Sequence, residues 1–307
     1  MNEIQTLRHQ IYENSRISNK MAFIFTSSSA PISGHRIIME DGLSRVVGDP
    51  SGLRFSRCSV TIHSWGTTPF SSMARMFTQC DSVVMNGEPL FEFGCTLKKM
   101  FLGSRGIGDV SRWNTTNVTD MKGMFEMCID FDQRLNWDTS NVTRMSCMFF
   151  GCTIFNQKIL FNTSKVTLMN SMFSFCSALN QPLLFDTSSV TDIRYMFLGC
   201  SSFNFNLRWN TSKVVYMDGM FENCSVFDQL LLWDTSSVTS MSNMFSRCKA
   251  FNRPLSFDMS KVTTITCMFY KCYSLDQTFD GWNTRRDVFK HEAFGGCKKT
   301  PTWAITE

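Results

Sequence analysis

The sequence predicts an α/β repeat solenoid, with one short parallel strand and one short helix in each 24-residue repeat. Three observations lead there. The dipeptide Met-Phe occurs at Met76, Met100, Met124, Met148, Met172, Met196, Met220, Met244 and Met268, every step being 24 residues. Cysteine keeps the same step from Cys128 to Cys272, and valine from Val118 to Val262. Within one repeat the apolar spacing changes from a period near 3.6 to a period of 2, the sign of helix giving way to strand.

Each element follows from the best-formed repeat, FDQRLNWDTSNVTRMSCMFFGC over residues 131–152. Met145, Met148, Phe149 and Cys152 stand at i, i+3, i+4 and i+7, one face of a helix. Thr139, Ser140 or Thr143 supplies a cap for its first turn. Before it, Leu135 and Trp137 alternate with Asn136 and Asp138, which reads as a strand with one buried face. Asp138-Thr139-Ser140 is turn chemistry, because such side chains bond nearby backbone groups. A single repeat cannot bury its apolar face alone, so neighbours must stack, with strands ~4.8 Å apart in a parallel sheet.

Boundaries fall where the pattern fails. Residues 1–69 carry none of it and read as an N-terminal cap or small extra domain. Residues 70–297 hold about ten repeats, degenerate up to 105, and 298–307 read as a C-terminal cap.

Composition narrows the function classes. The 307 residues are 43% hydrophobic, enough for a continuous core, and the net charge of +4 is too small to point to nucleic acid. No run of about eighteen apolar residues offers an integral membrane span. The first twenty residues are polar and Met21–Phe25 is too short for a secretory leader, so the chain is expected inside a cell or in a virion rather than at a cell surface.

The periodic side chains invite functional readings that their spacing discourages. Thirteen cysteines form no C-x-x-C cluster, so the ladder reads as a small buried hydrophobe and no zinc site is expected. Cys58 and Cys95 lie outside that ladder and are candidates for exposed thiols. The row Asn114, Asp138, Asn162, Asp186, Asn210, Asp234 and Asp258 offers one carboxylate or amide per coil, too sparse for calcium and suited to turns. His9, His35, His63 and His291 all stand outside the regular coils, and no nucleophile elbow, phosphate loop or H-E-x-x-H is present. Neither catalysis nor a cofactor is expected. The variable information sits at outward-facing strand positions, where Leu160, Leu184, Leu230 and Leu232 make an apolar patch rimmed by Arg134, Lys158 and Arg208.

The motifs WDTSNVTRMSCMFFGC and FNTSKVTLMNSMFSFC resemble the BspA-type leucine-rich repeat family, including its branch first noted as a mycoplasma domain of unknown function, DUF285. The likeness covers roughly residues 70–297. It implies a right-handed leucine-rich-repeat coil and a role in adhesion or protein interaction, with no catalytic residues to carry over. Family members resemble bacterial surface proteins, and similar arrays occur in protists and large DNA viruses. The expectation is therefore a non-enzymatic scaffold that binds a protein partner through the Leu/Arg face. The alternatives are a self-associating structural component of a virion or surface layer, and a surface adhesin exported without a classical signal.

Overall fold

The computed structural model describes residues 23–29, 37–40, 43–46 and 50–305. His9, His35, the polar first twenty residues and residues 306–307 lie outside these.

The chain opens with strands. β1 (Phe23–Ser27), β2 (Ile37–Glu40), β3 (Leu43–Val46), β5 (Ser59–Trp65) and β8 (Ser82–Met85) form one sheet in the order β2-β3-β1-β5-β8. Its first three pairings are antiparallel, while β5 and β8 run parallel, with Ser59 opposite Ser82 and Ile62 opposite Met85. Two smaller parallel sheets follow. β4 (Phe55–Ser56) pairs with β7 (Phe77–Thr78), and β9 (Phe91–Thr96) lies between β6 (Phe70–Ser72) and β10 (Val118–Asp120). Beyond β10 no strand forms among the described residues. Successive coils touch instead through single parallel bridges, from Asp120–Arg144 to Thr264–Phe289.

The expected α/β solenoid, with a leucine-rich-repeat strand and helix in each coil, is overturned by this structure. No α-helix occurs among the described residues, and the only helical element there is a 3-10 turn at Thr302–Ala304. The reason lies in the backbone at every fourth residue. Gly123 and Met127 take φ of +62° and +63°, Cys147 and Gly151 +58° and +74°, and Ser171 and Phe175 +56° and +61°. A left-handed residue ends a right-handed helix after one turn, at a cost of about 1–2 kcal/mol where the residue is not glycine. Each Met-x-x-Met-Phe-x-x-Cys segment is thus two tight turns in succession. Met124 and Cys128 donate within the coil to the carbonyls of Met121 and Phe125. Met121, Gly123, Phe125 and Met127 donate across to Arg144, Ser146, Met148 and Phe150 of the next coil, at 2.6–3.0 Å. Two consecutive turns place i, i+3, i+4 and i+7 on one side just as a helix does, so the apolar spacing alone could not separate them.

The core runs along the stack. Phe55, Phe77, Phe101, Phe125, Phe149, Phe173, Phe197, Phe221, Phe245, Phe269 and Phe294 form one aromatic column with centroid spacings of 5.2–5.9 Å. Phe25 of β1 closes one end, edge-on to Phe55 at 4.9 Å, and Trp303 closes the other, edge-on to Phe294 at 5.8 Å. The methionine rows flank the column and are wholly buried, Met121, Met145 and Met169 among them.

Candidate interaction face

Opposite the turn arm, each coil runs extended, and its outer side carries the residues singled out from sequence. In residues 131–138, Phe131, Leu135 and Trp137 are buried while Arg134, Asn136 and Asp138 are exposed. The alternation is that of a strand, yet between regular coils this arm shares no backbone ladder. Side chains hold it in register. The backbone N–H of Asn156 donates to Asp132 Oδ1, and the same link repeats at Asn180, Asn204, Asp228, Asn252 and Asp276, each to the Asx one coil earlier, at 2.8–3.1 Å. Sequence reading missed this row. Its signal was present as the recurring Phe-Asx-Gln that opens the coils at Phe131, Phe155 and Phe227.

Two further rows complete the frame. The buried hydroxyls of Thr115, Thr139, Thr163, Thr187, Thr211 and Thr235 each donate to the carbonyl of the Asx in the next coil, at 2.8–3.0 Å. The indoles of Trp137, Trp209 and Trp233 donate backward to the carbonyls of Val110, Leu183 and Leu207, at 2.8–3.1 Å. The Asn/Asp row itself closes turns: Asp138 Oδ1 accepts from the N–H of Ser140, and Asp186, Asp234 and Asp258 do the same two residues on. Those bonds hold the four carboxyls below the ordinary carboxylate value, the serine N–H leading for Asp138 and Asp258 and the serine hydroxyl for Asp186 and Asp234.

On this frame all seven sequence-derived candidates are exposed. Leu160, Leu184 and Leu232 share one row with Arg208 and are 56%, 79% and 82% exposed. Arg134, Lys158 and Leu230 occupy the adjacent outward row, two residues earlier in the coil. A shallow hollow of about 370 Å³ lies at the start of the face, lined by Asp109, Ser111, Gln133, Arg134 and Asn136.

The turn arm carries a second apolar patch that sequence reading did not single out. Met127, Phe175 and Tyr195 are left-handed residues with exposed side chains. Phe150 meets Phe175 edge-on at 5.5 Å. Each of the three lies against a glycine of the next coil: Met127 on Gly151, Phe175 on Gly199 and Tyr195 on Gly219, where a Cβ would collide.

The cysteine row has a polar role besides filling space. Cys128, Cys152, Cys176, Cys200, Cys224, Cys248 and Cys272 each aim the thiol at the carbonyl of the phenylalanine 27 residues earlier, at 2.9–3.1 Å. Ser104, standing in for cysteine, makes the same bond to Phe77 at 3.1 Å. All thirteen thiols are free, and burial pushes the ladder members up; Cys297, at its edge, rises to about 11. The expectation of exposed thiols at Cys58 and Cys95 is corrected: both are buried, and Cys58 lies 4.0 Å from Cys80, sulfur to sulfur. His63 bonds Thr26 at 3.1 Å, and His291 is exposed at the far end of the molecule. Among the described residues, no three His, Cys, Asp or Glu side chains converge as a metal site would require, and no helix is long and apolar enough to cross a membrane.

This repeat of paired turns has a family. The model of the mycoplasma proteins of unknown function, DUF285, matches residues 95–208 and 206–304. The chain belongs to that family. No curated protein and no solved structure matches it.

Proposed function

We propose that the chain is a non-enzymatic scaffold that binds a protein partner through the extended arms, with Leu160, Leu184, Leu230 and Leu232 as the apolar centre and Arg134, Lys158 and Arg208 at its margin. The observation that carries this reading is the exposure of Leu184 and Leu232, 79% and 82%, in a row whose neighbours on both sides are buried. Their exposure does nothing for the core, and apolar side chains gathered on an exposed face mark interaction sites. Arginine suits the margin because its planar head pairs with carboxylates while its stem packs on apolar surface.

The test is a tagged pull-down from the native source, with the wild-type chain beside a Leu184→Asp/Leu232→Asp variant. Both substitutions are on the surface, so stability should change by less than about 0.5 kcal/mol each. Loss of one enriched partner by the variant supports the scaffold. Equal recovery by both chains removes this face as the binding surface. Recovery of mainly the chain itself favours a structural building block.

A further inference from the structure

The turn arm ends on an open main-chain edge, a feature separate from the leucine face. Every coil passes alternate N–H groups to the carbonyls of the coil after it. In the penultimate coil Ile265, Cys267, Phe269 and Lys271 donate to Phe289, His291, Ala293 and Gly295, at 2.6–2.9 Å. The last coil repeats the same backbone, with left-handed φ of +53° at Glu292 and +80° at Gly296. Of the four corresponding donors, those of Glu292, Phe294 and Gly296 have no acceptor among the described residues. Beside them is a groove of about 300 Å³ whose walls include Glu292, Phe294, Gly296, Thr300 and Ala304.

The two parts of this end are closed differently. Trp303 seals the aromatic column against Phe294, and its carbonyl accepts from Lys290 Nζ at 2.9 Å. The row of N–H groups beside the column receives no backbone acceptor from residues 298–305. Unpaired edges of this kind template the addition of another chain.

We infer that this edge receives an extended peptide segment of another polypeptide, lying parallel to residues 292–297 and offering main-chain carbonyls on alternate residues to Glu292, Phe294 and Gly296. The earlier coil junctions show what fills the same donors, because each is met by such a run. Strand addition uses the same economy elsewhere: main-chain bonds give affinity and the groove beside them reads side chains. Here the partner's carbonyls would meet the free N–H groups while its side chains enter the groove beside them. A second copy of this chain fits less well, since its opposite end has Phe25 seated on Phe55 and would have to shed that contact to continue the column.

The probe is the blocked peptide SMSNMFSR, copying residues 240–247. In the fold its carbonyls at Ser240, Ser242, Met244 and Ser246 accept from the coil before, at 2.8–3.1 Å. Residue-resolved amide hydrogen exchange is measured on the full chain. Without peptide, Glu292, Phe294 and Gly296 should exchange far faster than their counterparts Asn243, Phe245 and Arg247. Saturating peptide should slow them at least about tenfold, equivalent to about 1.4 kcal/mol. Thr300→Trp, which plugs the groove from its rim, should abolish the slowing, whereas Leu184→Asp/Leu232→Asp should leave it intact. Unchanged exchange with peptide overturns the inference. So does protection in the free chain, whether constant, meaning that the chain covers its own edge, or rising with protein concentration, meaning that a second copy does.

Discussion

The two arms of each coil are held by different chemistry. The turn arm, exemplified by Met121–Cys128, is tied to its neighbours by main-chain bonds from alternate residues. The side chains at its left-handed positions accordingly vary in kind, within the limit that a large one such as Tyr195 faces a glycine in the next coil: Gly123, Cys147, Ser171, Tyr195, Gly219, Asn243 and Cys267 occupy one such row. The extended arm lacks that ladder and relies on side chains, namely the Asx row from Asp132 to Asn252, the threonine row and the indoles. Its polar periodicity is therefore architectural, and the variation that remains for recognition is confined to the outward positions between the fixed ones. A repeat can vary where the backbone does the bonding, and it must repeat its side chains where the backbone does not.

If that contrast is right, the two arms should fail for different reasons. The largest effect is expected from Gly199→Ala on the turn arm. The residue has φ of +73°, and an added Cβ would come within 2.8 Å of the Phe175 ring. Left-handed strain and overpacking together should cost about 2–3 kcal/mol, read as a lower urea midpoint. Ser171→Gly, at φ +56° in the same arm, should instead stabilise slightly. On the extended arm Thr187→Val keeps shape but removes the donor to the Asn210 carbonyl at 2.8 Å. The threonine is buried, so an unpaired carbonyl should cost about 1–2 kcal/mol. Asn204→Ala removes the acceptor for the Asp228 N–H, an exposed bond that water can replace, and about 0.5–1 kcal/mol is expected. Equal losses for Thr187→Val and Asn204→Ala would break the argument that these side chains do the work of a ladder in proportion to their burial.

The repeat length, the buried rows and the outward direction of Leu160, Leu184 and Leu232 were legible in the sequence because burial writes itself into periodicity. The helix was not, and the failure is specific. Apolar spacing reports which side chains share a side, and paired turns satisfy that condition as well as a helix does. The contrary signal was the company kept at the left-handed positions, where Gly103, Gly123, Gly151, Gly199 and Gly219 stand in a segment that a helix would fill with alanine or leucine. The Asx row at Asp132 was visible as a recurrence but had no meaning until its partner N–H was seen one coil away. The turn-arm patch of Met127, Phe150, Phe175 and Tyr195 was hidden for the same reason as the missing helix, since its residues come together only through the two-turn geometry.

The smallest expected effect concerns charge on the extended arm. Asp138, Asp186, Asp234 and Asp258 have their carboxyls lowered by bonds from the serines that follow them. A carboxyl lower in the folded chain than in the unfolded one contributes stability that is complete above the unfolded value, here 3.8, and is lost as pH falls through the folded value. Asp138, Asp186 and Asp234 are exposed and Asp258 is partly so, so each contribution is small and screened by salt. Their equivalents Asn114, Asn162 and Asn210 close the same turns without charge, at 3.1–3.2 Å. Replacing the four aspartates by asparagine should therefore preserve the urea midpoint at neutral pH and flatten its decline below about pH 4. A neutral-pH loss as large as that of Thr187→Val would mean that the charge, and not the turn-closing oxygen, is what this row supplies.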